Sequence, residues 1–329
     1  MNFYMSGTPF DDQWQKQERA ICTHRLFSLH GSYRRAVDKW VLRVKEALEV
    51  DPNAPYPKAI MLDSGAFTAW NKGHETSVDE VLDAYSSFME DTVGMFDEIW
   101  MINLDKIPGE KGRDPSLAEI NEALEVSDRN YKILVDTFGE RILPVFHQGE
   151  DDARLFEVAE MVKGKSEYIC VSPRNDLPER QRHTWSRNVH RILHDQYPEC
   201  RTHGLATTGN VMIREVPWYS IDSAAWVLHA GYGMIDIFHK DKYRNYFVSY
   251  EGGKHERGEQ HLDNLPPRLQ EEINGVIQGY GFPLEEVQKE FRARSIICMG
   301  ELNRYAQWAR EHQEQKGQLS GQPGLIDLL

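Results

Sequence analysis

The run Trp218-Tyr219-Ser220-Ile221-Asp222-Ser223-Ala224-Ala225-Trp226 is apolar, aromatic and β-branched, with one carboxylate in its middle. Such a run reads as a buried strand. A carboxylate buried alone is costly, so Asp222 must be hydrogen-bonded, charge-paired or used in chemistry. Taken by itself, the run suits a structural Asp satisfied by backbone N–H groups. Its place in a series changes that reading.

Upstream, the same pattern of an apolar strand ending in polar residues recurs. Arg25–Gly31 leads to a glycine turn. Ala59–Asp63 ends in Ser64-Gly65-Ala66-Phe67, and Glu98–Asp105 again ends in an acid. Ile142–Phe146 ends in His147-Gln148-Gly149, Tyr168–Val171 in Ser172-Pro173, and Thr202–Ala206 in Thr207-Thr208-Gly209. Between these runs lie stretches with helical spacing, such as Val37, Trp40, Val41, Val44 and Leu48. Ser77 followed by Glu80 predicts a capping box before the helix that carries Val81, Tyr85 and Phe88.

Repeated strand–helix alternation predicts a parallel sheet with helices outside it. The run at Asp222 is then the seventh strand, and Met234–Phe238 or Tyr246–Val248 offers an eighth. That count favours an α/β fold of the (β/α)8 TIM-barrel type over a doubly wound sheet. The expected organisation is a barrel over residues 1–264, with an irregular insertion at 231–264 after strand seven. C-terminal helices follow over 265–314, the second running from Leu284 to Glu314, and then a frayed tail at 315–329. Residues 1–24 are mixed and receive no element. In such barrels the C-terminal strand ends carry the chemistry. Here those ends hold Asp63 with Ser64, then Asp105, His147 with Gln148, Ser172, Gly204–Gly209, and Asp222.

The 329 residues carry a net charge of −14, which counts against an indiscriminate DNA binder but leaves room for a local basic groove. Arg174, Arg180, Arg182, His183, Arg187 and Arg191 form one basic cluster, and Lys240, Lys242 and Arg244 another. Arg34, Arg35, Lys39 and Arg43 read as a solvated helix face. The four cysteines are scattered, without a C-x-x-C pair, so neither a disulfide framework nor a standard zinc module is signalled. Cys200 and His203 make a lone C-x-x-H. No apolar run approaches the roughly 18 residues of a membrane span, and no signal peptide is evident. The expectation is a reduced, cytoplasmic protein with no membrane partner; a homo-oligomer is compatible.

Several carboxylates and an amide in one barrel mouth suit glycosyl chemistry. One carboxylate attacks the anomeric carbon and a second moves the leaving group's proton. A sugar hydrolase, a base-exchange enzyme and a non-catalytic barrel all remain open at this level.

Leu62-Asp63-Ser64-Gly65-Ala66-Phe67 resembles the Asp-Ser-Gly-Gly-Phe signature of the tRNA-guanine transglycosylases. Leu104-Asp105-Lys106 is similar to that family's guanine-reading strand end, and Phe146-His147-Gln148-Gly149 to its Gln-Gly strand end. Ile169–Ser172 sits where the family has its base-contacting strand, and Ser220-Ile221-Asp222-Ser223 where it has its nucleophile. The order agrees over residues 25–250. Two features depart from the family: its cysteine-rich zinc module is absent, and Ala66 replaces the second glycine. The compact chain and the Ser-x-Asp-Ser-x-x-Trp run look more like the phage-type relatives that act on DNA, which would place the protein in a host's cytoplasm.

The resemblance implies a DNA-guanine transglycosylase that exchanges guanine for a free 7-deazaguanine, such as 7-cyano-7-deazaguanine. It implies Asp222 as nucleophile and Asp63 as a proton-shuttling or base-orienting acid, with Ser64 supporting it. It implies contacts to the base from Asp105, His147, Gln148, Ser172 and backbone near Gly204, with Gly65 and Ser223 beside them and Phe67, Tyr219 or Trp226 available for stacking. A flipped or single-stranded guanine in DNA would be the partner, with Arg174, Arg182, Arg187, Lys240, Lys242 and Arg244 on its phosphates. No cofactor is required for this chemistry. A metal site is not defined; Cys298 with His239, His255 or His261 is the one combination available for an unusual site. The same exchange on tRNA and a carboxylate-dependent glycoside or nucleoside hydrolase are the rivals. Asp236, in Gly233-Met234-Ile235-Asp236-Ile237-Phe238, is a second candidate nucleophile.

Overall fold

The structure is a computed structural model that describes every residue except 11, 32, 73–75, 111, 208, 251–259 and 316–329, and leaves out the side chains of residues 69, 72 and 315. The expected tail therefore lies outside the described residues, apart from position 315, as does His255.

Parallel strands form a ring. In chain order the elements that build it are β1 (Asn2–Met5), α1 (Gln15–Ile21), β2 (His24–Ser28), α2 (Tyr33–Val50), β3 (Ala59–Asp63), α3 (Ala66–Lys72) and α4 (Val78–Asp91). Then come β4 (Glu98–Ile102), α5 (Leu117–Phe138), β5 (Ile142–Leu143), β6 (Val145–His147), α6 (Asp152–Val162), β7 (Tyr168–Ser172) and α7 (Glu179–Gln196). The last units are β8 (Arg201–Gly204), α8 (Asn210–Glu215), β9 (Ser220–Ser223) and α9 (Ala225–Gly231).

The sheet order is β5-β4-β3-β2-β1-β9-β8-β7-β6. β5 and β6 are halves of one run parted by Pro144, which has no N–H to give to a ladder. Asn103 N donates to Leu143 O at 3.0 Å on one side of that run, and Cys170 N donates to Pro144 O at 2.9 Å on the other. The nine segments thus act as the eight strands of a TIM-type barrel.

The eighth strand is not where the sequence pattern put it. The barrel is completed by β1, whose Tyr4 lies opposite His24 of β2 and Asp222 of β9. Met234–His239 (β10) and Lys242–Phe247 (β11) instead pair antiparallel as a separate hairpin. Asp222 is consequently on the last barrel strand, and the insertion follows the eighth strand rather than the seventh. The expected Leu284–Glu314 helix is also two helices. After α10 (Pro267–Gly279) come α11 (Leu284–Lys289) and α12 (Phe291–Gln315), separated at Glu290. α12 packs on β1, α8, α9 and β10.

Alternation along each strand sorts the core. Tyr4, Leu26, Met61, Ile102, Leu143, Val145, Tyr168 and Cys170 fill the barrel interior. Phe27, Trp40, Val44, Ile60, Leu62 and Tyr85 form the layer between barrel and helices on one side. Phe146, Ile169, Val171, Ile221, Trp226 and residues of α12 such as Ile297 and Met299 form it on the other. Each fully buried side chain of this size contributes about 1.5–3 kcal/mol. Within the interior, Arg201 lies over the rings of Trp100, Tyr168 and Tyr219 at 4.8–5.6 Å. The expected capping box is present: Glu80 N donates to Ser77 Oγ at 3.2 Å and Ser77 N to Glu80 Oε2 at 2.9 Å. Among the described residues no helix is long and apolar enough to cross a membrane.

Candidate active site

The strand period of two aims the site. Ala59 and Met61 face the interior, so Asp63 does too, at the end of β3. By the same spacing Val145 brings His147 inward, and Tyr168 and Cys170 bring Ser172. These strand ends open into a cavity of about 410 Å3. Its walls include Asp63, Asp105, Asp222, His147, Gln148 and Ser172, with Leu26, Ile102, Leu205 and Ala206 as apolar surface. Three carboxylates in one mainly apolar, ligand-sized cleft are a candidate site on physical grounds alone.

Each carboxylate is held differently. Burial pushes the Asp63 carboxyl up to about 6, and the charges of Asp222 and Asp105 add to the rise, while the Gly65 N–H opposes it. Gly65 itself sits at φ +81°, and a Cβ there would come within 2.7 Å of His30 Cβ, so this turn requires glycine. Asp105 Oδ2 meets His147 Nε2 at 2.7 Å in a buried pair. Burial pulls the His147 imidazolium down, but the bond and charge of Asp105, with Glu150, outweigh it and leave its pKa raised. Asp222 Oδ1 accepts the Ala206 N–H at 2.7 Å. Ala206 adopts φ +48°, a strained conformation for a residue with a Cβ, and this presents its N–H to the carboxylate. Below them, burial and then the charges of Asp105, Asp222 and Asp63 drive the Cys170 thiol well above its ordinary value.

Gln148 Oε1 accepts the Arg174 N–H at 3.0 Å, so the amide nitrogen is its other end, a donor at the cavity wall. Ser172 O in turn accepts the Gln148 N–H at 3.0 Å. Tyr33, Phe67 and Trp70 form an aromatic side of the mouth, with Phe67 and Trp70 ring centroids 5.9 Å apart.

Four expected contact residues fall outside the cavity lining. Ser64 is buried, and its hydroxyl has no hydrogen-bond partner among the described residues. Gly65 shapes the turn as above. The open side of Gly204 is closed by Thr207 and Trp218. Ser223 Oγ accepts the Ala225 N–H at 2.9 Å, at the start of α9. The expected stacking residues Tyr219 and Trp226 are likewise in the cores, Tyr219 inside the barrel and Trp226 outside it. Backbone near Gly204 does donate a hydrogen bond, from Ala206, but to Asp222 rather than toward a ligand.

The basic residues separate further. Only Arg174 of the expected phosphate contacts lines the cavity, and it is clasped by Asp114 at 2.5 Å and Asp176 at 2.8 Å. Arg182 reaches Asn175 Oδ1 at 3.5 Å, and Asn175 is a lining residue. Arg187 is exposed on α7. Lys240, Lys242 and Arg244 line a separate cleft of about 230 Å3 against α10. Arg113 and Trp70 line the mouth and were not legible, because both come from loop and short-helix segments with no strand pattern.

Asp236 is fully buried on β10, bonded to His229 Nδ1 at 2.7 Å, and is not part of the cavity. Cys298 accepts the Asp236 N–H at 3.3 Å, and His239 lies 3.6 Å from Glu272. Among the described residues no three His, Cys, Asp or Glu side chains are grouped to hold a metal ion. A scan against protein-family models finds no match to this chain, and a search of curated protein sequences finds none either.

Proposed function

We propose that the cavity is the active site of a base-exchange transglycosylase that replaces guanine in DNA with a free 7-deazaguanine. The observation that carries this reading is the pairing of unlike carboxylates in one cavity: Asp63, raised to about 6, beside Asp222, whose Oδ1 is held by a backbone N–H. An acid that holds its proton up to about pH 6 suits a leaving base, and a positioned carboxylate suits attack on C1′.

In the first half-reaction Asp222 forms a bond to C1′ as the C1′–N9 bond breaks. The electron pair leaves with guanine, and Asp63 delivers a proton to the base. In the second, N9 of the incoming base attacks C1′ and gives its proton to Asp63. The C1′–O bond breaks and its electron pair returns to Asp222. Asp105 offers lone pairs to the N1–H and exocyclic amine of the base; its bond to His147 uses one of the two on Oδ2. The amide nitrogen of Gln148 offers a donor to O6. The target nucleotide must leave its stack to enter, and Tyr33, Phe67 and Trp70 are placed to receive exposed bases.

A second reading has one observation in its favour. The mouth's arginines are already neutralised, Arg174 by Asp114 and Asp176, and Arg113 by Glu119. That rim suits an uncharged nucleoside, and so a nucleoside hydrolase on the same carboxylates. Incubation with guanine-containing DNA, tRNA and nucleosides plus labelled 7-deazaguanine bases separates the cases. Label entering DNA, and lost in Asp222→Ala, supports the proposal. Label entering tRNA alone overturns the DNA substrate, and base release without label uptake points to the hydrolase.

A further inference from the structure

A buried polar chain stands behind Asp222 that the base-exchange scheme above does not use. Tyr168 OH contacts Ser220 Oγ, and Ser220 Oγ lies 2.6 Å from His203 Nδ1. All three side chains are fully buried inside the barrel. His203 Nε2 then sits 3.4 Å from Asp222 Oδ1 and makes no hydrogen bond among the described residues. The imidazole is fixed sideways by the edge of the Tyr4 ring, with centroids 5.6 Å apart.

Counting protons orders this chain. Among the described residues the Tyr168 hydroxyl meets Ser220 alone, so its proton has one place to go. If Tyr168 donates to Ser220, the Ser220 proton is free to go to His203 Nδ1. That nitrogen is then the acceptor, and the imidazole proton resides on Nε2, facing the carboxylate. Running the chain the other way leaves the phenol proton without an acceptor in a buried site. It also sets an imidazole lone pair against a carboxylate oxygen. Both cost free energy.

We infer that His203 is a positioning residue for Asp222, held by Ser220 and Tyr168 as the neutral Nε2–H tautomer. The Ala206 N–H holds Oδ1 and the Nε2–H faces the same oxygen across 3.4 Å, which leaves Oδ2 as the atom that attacks C1′. This rests on the base-exchange reading of Asp222. The two donors act unequally on the two half-reactions. In the glycosyl ester Oδ1 carries little charge. When the incoming base displaces the ester, charge returns to the carboxylate and the Nε2–H stabilises it. The donor therefore favours breakdown of the intermediate.

Two measurements test this. Imidazole nitrogen chemical shifts in labelled protein report the tautomer without any substrate. The wild type is expected to show His203 as Nε2–H, and Ser220→Ala, which changes only one buried hydroxyl, a mixture. A neutral Nδ1–H tautomer in the wild type would overturn the chain. The second measurement follows turnover and the covalent DNA adduct on denaturing gels. His203→Phe should turn over roughly 10-fold more slowly, the low end of the worth of a hydrogen bond to a charged group because 3.4 Å is long for one, while accumulating adduct. His203→Gln, which can place an amide N–H near the Nε2 position, should recover most of the rate. Folded His203→Phe with wild-type turnover and no excess adduct would overturn the role. If the wild type exchanges no base at all, the base-exchange reading fails. The tautomer measurement then still decides the chain.

Discussion

Asp222 and Asp236 are both single acids in apolar strands, and they lie on consecutive strands, β9 and β10. They end in opposite situations. Asp222 stands on the inner face of a parallel barrel, where a strained loop gives it one N–H and a cavity gives it access. Asp236 lies outside the barrel, sealed in a hairpin and paired with His229 at 2.7 Å. The local sequence of each is that of a buried strand. What separates a cavity-lining carboxylate from a sealed one here is which sheet the strand joins, a property of pairing partners far away in the chain.

The largest expected effect tests that contrast directly. Asp222→Ala should abolish exchange by roughly 10⁴-fold or more while leaving the fold intact. Asp236→Ala should keep the rate per folded molecule and cost about 3 kcal/mol of stability by stranding His229. Kinetics and chemical denaturation of the two variants decide it, and a reversed pattern would break the assignment.

Asp63 is a neighbour that Asp222 has and Asp236 lacks. Asp63→Asn should slow exchange by roughly 10²–10⁴-fold, the usual worth of a general acid. Its stability should move the other way. The folded Asp63 carboxyl binds its proton more tightly than the unfolded one, so the wild type loses stability as pH rises from 3.8 to about 6 and does not recover it above. Asparagine has no such loss. The variant should therefore be more stable by about 1–2 kcal/mol above that window, after allowance for partial solvent contact, and no more stable below it. Thermal unfolding across the pH range reads this out; a constant difference at all pH values would sink it.

The partner of Asp236 gives a smaller, oppositely signed test. The hydrogen bond to Asp236 raises the His229 pKa against the opposing effect of burial. Its contribution is full below the ordinary histidine value of 6.5 and disappears as pH rises through the raised one. His229→Gln should cost about 1 kcal/mol more at low than at high pH. The smallest effect belongs to Ser64, next to Asp63. Because its buried hydroxyl has no partner among the described residues, Ser64→Ala should leave kinetics unchanged and stability within about 0.5 kcal/mol. A tenfold loss of rate would redraw the edge of the site.

Much of this was legible from period alone. The alternation of strands and helices, and the inward aim of Asp63 and Ser172, follow from spacing that each segment carries itself. β1 did not, because Asn2–Met5 is too short to display a period against the polar residues around it. The hairpin did not either. Its turn residues Lys240 and Asp241 both adopt positive φ, +49° and +61°, as a tight two-residue hairpin turn demands. The usual Asn-Gly or Asp-Gly signal is missing there, so Met234–His239 passes for a barrel strand. The pairs His147–Asp105 and His203–Asp222 join separate strands and strand-end loops, and no local pattern announces them.

The placement of β1 has a consequence for folding. Its Phe3 and Tyr4 precede their register partners Ile221 and Asp222 by 218 residues in the chain. Without β9, β1 has a partner on one flank only, β2, and the sheet stays open on the other. An unpaired edge of that kind invites association with other chains. The strand that bears Asp222 is also the one that ends this exposure, so the candidate site and the closed barrel come into being in the same event.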